Sequence, residues 1–191
     1  MMTPLLFNLN SKRVLVVGGG KVATRRIGTL FENGAQVVCV SPEFSNGLLK
    51  TQDEGLTLVH GIYDCKQLEG IDLVVAATNS EAINARVKKD CKRLRIWCNR
   101  VDSPDDSDFI FPSVIRRGDL TLSVCTEGAS PFLTKAIVKD LSQRYDESYI
   151  ERTALLRECR KRILEKGNAT QMLKDQADCS IEELKEQLEK Y

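Results

Sequence analysis

The chain has 191 residues, 42% of them hydrophobic, enough for one substantial core and a smaller appendage, so one or two domains are expected. Its 28 Lys and Arg side chains nearly cancel 27 Asp and Glu, which excludes a general nucleic-acid surface and attraction to an anionic membrane; an anionic ligand must be met by local basic groups. No apolar run approaches the roughly 20 residues that span a bilayer, and the N-terminus lacks the apolar core of a signal peptide, so a cytoplasmic protein is expected, with no membrane and no nucleic-acid partner.

Residues 14–17 (Val-Leu-Val-Val) form a buried strand that runs straight into Gly18-x-Gly20-x-x-Ala23 and a helical pattern with Val22, Ile27, Leu30 and Phe31. The spacing predicts a dinucleotide site for steric reasons. Gly18 permits the tight strand-to-helix turn, Gly20 lets the backbone approach a pyrophosphate, and Ala23 lets the helix pack closely on the strand. The free N–H groups of the helix N-terminus, from Lys21 and Val22 onward, then face the phosphates.

Further apolar strands are predicted at residues 35–40, 56–60, 71–77 and 95–99, with helices around residues 43–54 and 80–94. Strands that alternate with helices and are apolar on both faces indicate a parallel sheet covered on both sides, an α/β Rossmann-type unit over residues 1–112. The pattern then changes. Residues 113–117 and 120–126 flank Gly118-Asp119 as a hairpin, and Ser130-Pro131 opens a helix toward Tyr145 with Ser as cap and Pro at the first helical position. Residues 113–145 thus form a small α+β segment. Residues 146–191 read as a helical C-terminal domain: Leu155, Leu156, Cys159 and Ile163 share a stripe, Gly167-Asn168 stops that helix, and Ser180-Ile-Glu-Glu183 is a capping box that opens the last one.

Three segments at strand ends are candidates for chemistry. A dinucleotide fold places an acidic residue after its second strand to hold the ribose hydroxyls. Here Ser41-Pro42-Glu43 stands there; Glu43, two or three residues beyond the expected place, either substitutes in that role or caps the next helix, and the lack of an arginine favours NAD over NADP. Thr78 and Asn79 come after the fourth strand and face the crevice, while Asn79 or Ser80 can cap the next helix. The fifth strand ends in Cys98-Asn99-Arg100-Val101-Asp102-Ser103-Pro104-Asp105-Asp106-Ser107-Asp108, where a carboxylate can take a proton as a hydride leaves the substrate; spacing alone equally describes a solvated acidic turn. The seven cysteines stand singly, as reduced thiols that are mostly small buried hydrophobes. With His60 the only imidazole, and read as a surface or packing residue, no metal site is expected.

In order along the chain, Leu5-Leu-Phe-Asn-Leu9, Val16-Val-Gly-Gly-Gly-Lys-Val-Ala23 with Arg25-Arg26, Ala76-Ala-Thr-Asn79, Asn99-x-x-Asp102, Phe109-Ile-Phe-Pro112 and Gly128-Ala-Ser-Pro131 resemble the siroheme-synthase N-terminal family, the precorrin-2 dehydrogenases. The resemblance covers about residues 4–145. It implies NAD-dependent oxidation of precorrin-2 to sirohydrochlorin by a homodimer, with residues 113–145 as the dimerisation segment. It implies an aspartate after Asn99 as general base, best matched by Asp102, with Asp105 and Asp106 as alternatives. In some relatives the same aspartate serves insertion of ferrous iron, so chelation of Fe2+ or Co2+ stays open beside oxidation. Cys125 departs from the family's Ser and reads as a filler or as a soft group near the tetrapyrrole. The eight carboxylates of precorrin-2 call for a basic rim, for which Arg116, Arg117, Lys135 and Lys139 are candidates, with the helix N-terminus at Ser130 for one carboxylate. The competing reading is an NAD-binding redox sensor without turnover. A chelatase that has lost dehydrogenation is a third.

Overall fold

The computed structural model describes residues 2–51, 55–165 and 176–190, and the chain divides into two compact units, Met1–Phe111 and Pro112–Tyr191. Among the described residues no helix is long and apolar enough to cross a membrane.

In the first unit, β1 (Arg13–Val17), β2 (Gln36–Ser41), β3 (Leu56–His60), β4 (Leu73–Ala76) and β5 (Trp97–Arg100) form one parallel sheet in the order β3-β2-β1-β4-β5. The helices are α1 (Lys21–Phe31), the single turn α2 (Asn46–Leu49) and α3 (Glu81–Leu94), with 3-10 turns at Cys65–Leu68 and Pro104–Asp106. Pleating sends alternate side chains of β1 to opposite faces. Val14 and Val16 pack with Ala23, Ile27 and Leu30 of α1, while Leu15 and Val17 pack with Val87 and Cys91 of α3. These strand residues are at most 2% exposed, and each contributes roughly 1.5–3 kcal/mol by leaving water. A slip of one residue would exchange the two faces, so the register Val17↔Val40 and Val17↔Ala76 is firmly specified. The chain passes from the β3 edge to β4 on the other side of β1. The loops after Val17, Ser41, Ala76 and Arg100 therefore leave the same edge of the sheet, at the switch point where open α/β sheets bind ligands.

Two local expectations fail in this unit. The helix expected over residues 43–54 contracts to Asn46–Leu49, because Ser45 caps it, its Oγ accepting from Leu48 N–H at 3.3 Å, and Gly47 lowers the helix propensity of so short a segment; residues 52–54 lie outside the described residues. Val22 is 40% exposed and does not join the α1 core stripe, which is Ala23, Ile27 and Leu30.

The second unit starts with an antiparallel hairpin, β6 (Ser113–Arg117) and β7 (Leu120–Val124), whose connection has Gly118 at φ +58°, a conformation that suits glycine. Then come α4 (Pro131–Arg144), α5 (Ser148–Glu165) and α6 (Ile181–Lys190). Cys159 and Ile163 of α5 are buried, as is Leu184 of α6. The capping box forms as expected: Glu183 N–H donates to Ser180 Oγ at 3.1 Å and Ser180 N–H to Glu183 Oε2 at 2.7 Å. The expected stop at Gly167-Asn168 lies outside the described residues.

Candidate nucleotide and acid–base site

The turn between β1 and α1 is built so that only glycine fits its first two positions. Gly18 sits at φ +115°, and a Cβ there would overlap the Ala77 carbonyl; a Cβ at Gly19 would overlap the Glu43 carbonyl and stand 2.9 Å from Phe44 Cδ1. Gly20 is different. It caps α1 with ordinary extended backbone (φ −82°, ψ −172°), is exposed, and a Cβ on it would meet nothing within 4 Å. Beside this open position the first N–H groups of α1 have no intrahelical acceptor, while Ala23 is fully buried against the sheet. The turn thus offers free donors, a positive helix end and unfilled space, which is what a pyrophosphate requires. Lys21 and Val22 are exposed at its rim.

After β2, Ser41 is buried and Pro42 and Glu43 are exposed; Ser45, not Glu43, caps the next turn. Glu43 is thereby left to solvent a few residues beyond the end of β2, and residues 41–49 include no basic side chain. After β4 the backbone is tied down. Asn84 of α3, 0% exposed, accepts at Oδ1 from Thr78 N–H (3.1 Å) and from Thr78 Oγ1 (2.7 Å), and its Nδ2 donates to the Thr78 carbonyl (3.1 Å). Asn79 is exposed beyond this tie, and Ser80 caps α3, accepting from Ile83 N–H at 3.4 Å.

The loop after β5 is no simple solvated turn. Arg100, 7% exposed, holds Asp102 with two hydrogen bonds, Nε to Oδ1 at 3.2 Å and Nη2 to Oδ2 at 2.9 Å, and gives Nη1 to Asp106 at 2.8 Å. Asp108 accepts from Cys98 N–H at 2.8 Å and pairs with Lys88 at 2.6 Å. Asp105 is exposed. The Arg100 guanidinium holds the Asp102 carboxyl below its ordinary range against the opposing effect of burial, so it is ionised at neutral pH. Its side chain is 26% exposed and can still meet a reactant. Asn99 sits one residue before Arg100 with its side chain buried; Nδ2 donates to the Phe109 carbonyl at 2.9 Å, and Oδ1 has no partner among the described residues.

In the second unit, Arg116 on β6 and Lys135 on α4 are exposed, and Ser130 caps α4, its Oγ accepting from Leu133 N–H at 3.2 Å. Cys125 is exposed, its Sγ accepting from Glu127 N–H at 3.3 Å, so it does not fill a core position. His60 is exposed at the end of β3, edge-on to Phe44 with ring centroids 4.7 Å apart.

Three residues escaped sequence reasoning. Arg100 stood in a loop counted for its acids alone, although an arginine ending a buried strand among aspartates signals an ion-pair network. Asn84 is the polar member of the α3 core stripe Asn84, Val87, Cys91, and that position was its signal. Gly19 is fixed by a backbone approach from a distant loop, which spacing does not reveal.

A family model described as "Putative NAD(P)-binding" matches residues 5–113. Among curated proteins, the chain is 36% identical to "Precorrin-2 dehydrogenase" of Priestia megaterium over 100% of both chains. It is 38% identical to "Siroheme synthase" of Psychrobacter sp. (strain PRwf-1) over 69% of this chain and 27% of that longer protein. A solved structure titled "SirC, precorrin-2 dehydrogenase" is similar over 100% of both chains, with a TM-score of 0.77 at 32% identity. With more than half of the chain under the family model and a full-length relative above 30% identity, the chain belongs to the precorrin-2 dehydrogenase and siroheme synthase family.

Proposed function

We propose that this chain catalyses the NAD-dependent oxidation of precorrin-2 to sirohydrochlorin, in the cytoplasm, with Asp102 as the group that takes the proton. The observation that carries the reading is an ionised, doubly clamped carboxylate at the same sheet edge as a glycine turn with space and donors for a pyrophosphate. The residues fit a dinucleotide: Gly18 and Gly20 shape the cradle, Ala23 and the α1 N-terminus close it, and Ser41, Pro42, Glu43, Thr78, Asn79 and Asn99 are its further contacts, with exposed Glu43 suited to unphosphorylated ribose hydroxyls. NAD, when bound, supplies the two-electron acceptor. Loss of a hydride and a proton from precorrin-2 accounts for the two hydrogens by which it exceeds sirohydrochlorin. Asp102 enters the reaction ionised and oriented by Arg100, and receives that proton. Arg116, Lys135, Cys125 and the capped α4 N-terminus at Ser130 are the substrate-side candidates, since the substrate's carboxylates need cations and N–H donors.

The deciding experiment is an anaerobic assay with precorrin-2. NADH formation together with the sirohydrochlorin spectrum is expected only when NAD is present. Binding of NAD without turnover would replace this reading by the redox-sensor one. A metal-dependent change faster than the spontaneous rate, after addition of ferrous or cobaltous ion, would add chelation.

The second unit supports a homodimer. No residue of α4 is buried, and Phe132 (82% exposed), Leu133 (53%) and Ile137 (36%) leave exposed apolar side chains on it that a second copy would cover. Phe132→Glu combined with Ile137→Glu is expected to halve the mass seen by light scattering without unfolding the chain, because both side chains are already exposed. A monomeric parent protein would remove the proposal.

A further inference from the structure

Helix α1 carries its charge at the unfavourable end. Lys21, Arg25 and Arg26 crowd its first two turns, and no acid stands on the helix. A helix N-terminus already bears a partial positive charge, which disfavours cations there and favours anions. None of the three side chains makes an ion pair or a hydrogen bond among the described residues, in a chain whose charges otherwise nearly cancel. Lys21 and Arg25 are exposed, where water can serve them. Arg26 is half-buried, with its guanidinium carbon 4.3 Å from the centre of the Phe111 ring. No acceptor among the described residues takes any of its N–H groups, Nε included, which is shut off from water. Enclosing part of a charged group without a partner is unfavourable, and burial, followed by the charge of Arg25, lowers its hold on the proton.

The flank of α1 that bears Arg26 says which ligand it meets. Successive helix residues turn by about 100°, so Thr24 and Arg26 lie on opposite flanks of the buried stripe Ala23, Ile27, Leu30. Thr24 Oγ1 is 2.8 Å from Ser45 Oγ, so its flank faces the loop after β2, the side on which a dinucleotide fold holds the ribose. Arg26 faces the other way, onto Phe111, whose ring packs on Phe109 with centroids 5.6 Å apart. The Phe109 carbonyl accepts from Asn99, so this aromatic pair is fastened to the strand end that leads into Asp102. An anion at Arg26 therefore lies on the reacting side, away from the ribose. We propose that Arg26 binds a peripheral carboxylate of the tetrapyrrole, its guanidinium giving paired N–H donors while the Phe111 ring fixes its position. This rests on the function proposed above, which supplies the polycarboxylate.

Arg26→Met tests the assignment, because methionine keeps an unbranched stem on Phe111 and removes the charge and the donors. In the anaerobic assay KM for precorrin-2 should rise roughly 10- to 100-fold, the worth of a hydrogen bond to a charged group. The turnover number and the NAD dissociation constant should change less than about threefold. Sirohydrochlorin keeps the carboxylates and needs no turnover, so its binding, followed by absorbance titration, should weaken by a similar factor. Tm should hold or rise, since an unpaired cation has left the positive end of a helix. Arg26→Lys, which keeps the charge and loses the planar fork, should fall between the parent and Arg26→Met, and it carries the test alone if the methionine variant does not fold. Parent-like KM and sirohydrochlorin affinity, or losses that only track a lowered Tm, would make Arg26 a packing residue and overturn the proposal. Weakened NAD binding with KM for precorrin-2 unchanged would assign the anion to a cofactor phosphate and overturn it as well. Absence of turnover in the parent protein, with sirohydrochlorin binding still dependent on Arg26, would instead remove the proposed function and leave the carboxylate site standing.

Discussion

Asp102→Asn is expected to lower kcat by about 10²- to 10⁴-fold, the range that a positioned proton acceptor supplies, while the NAD dissociation constant changes less than about threefold. The substitution is nearly isosteric. An asparagine oxygen can still accept from one nitrogen of Arg100, whose other partner, Asp106, remains at 2.8 Å, so the buried guanidinium is not abandoned. What disappears is the group that can take a proton. Asp102→Ala would also remove both bonds to Arg100 and leave a 7% exposed cation held by one partly exposed carboxylate, so its loss of activity would be mixed with a lower Tm. Comparing the two variants in one assay separates chemistry from support: equal loss in both, with Tm lowered only in the alanine variant, assigns the effect to the proton. Full activity in Asp102→Asn would remove Asp102 from the mechanism and turn attention to Asp105 or Asp106.

The clamp also sets the pH dependence. Arg100 lowers the proton affinity of Asp102 in the folded protein, so the stability this pair contributes is fully present above the ordinary carboxylate range and is lost as pH falls through the lower, folded value. In the proposed reaction the same shift keeps the Asp102 carboxyl ionised across the neutral range, with a weaker pull on a proton than an unperturbed carboxylate would have.

Most of the sheet was legible because its strands are short, apolar on both faces and punctuated by turns. The predicted third strand, residues 56–60, has the observed bounds, and the others shift by a residue or two at their ends. Where reading failed, the cause was a contact between segments distant in sequence. Nothing near Gly19 announces that the Glu43 carbonyl will lie against it, and nothing in the acidic loop says that Arg100 will turn back to gather Asp102 and Asp106. Asn84 broke the apolar stripe of α3 visibly, but its purpose depends on the Thr78 backbone that reaches it after β4. Patterning specifies which face is buried, whereas the chemistry of the site lies in polar pairings that only the folded chain creates.

The same distinction gives the glycine turn its sharpest test. Gly18→Ala and Gly19→Ala should both damage the fold, the first by forcing a side chain into φ +115° against the Ala77 carbonyl, the second by driving a methyl group into the Glu43 backbone. Gly20→Asp should not. Its backbone is extended, as any residue permits, and its Cβ has open space; aspartate is also a favoured helix cap, and its charge suits the positive end of α1. Tm should therefore stay within about 3 °C of the parent value, or rise. The space it fills is the space the pyrophosphate needs, and the charge it brings repels the phosphates at the donors they would use. Binding of NAD measured by calorimetry should weaken at least about 100-fold, or some 2.7 kcal/mol, and turnover should fall with it. If Gly20→Asp bound NAD as the parent does, the open position at the start of α1 would be a structural turn and the cofactor would have to lie elsewhere; if it unfolded, the space around Gly20 would be smaller than the structure shows. Folded protein without NAD affinity is the result that makes this turn a binding site.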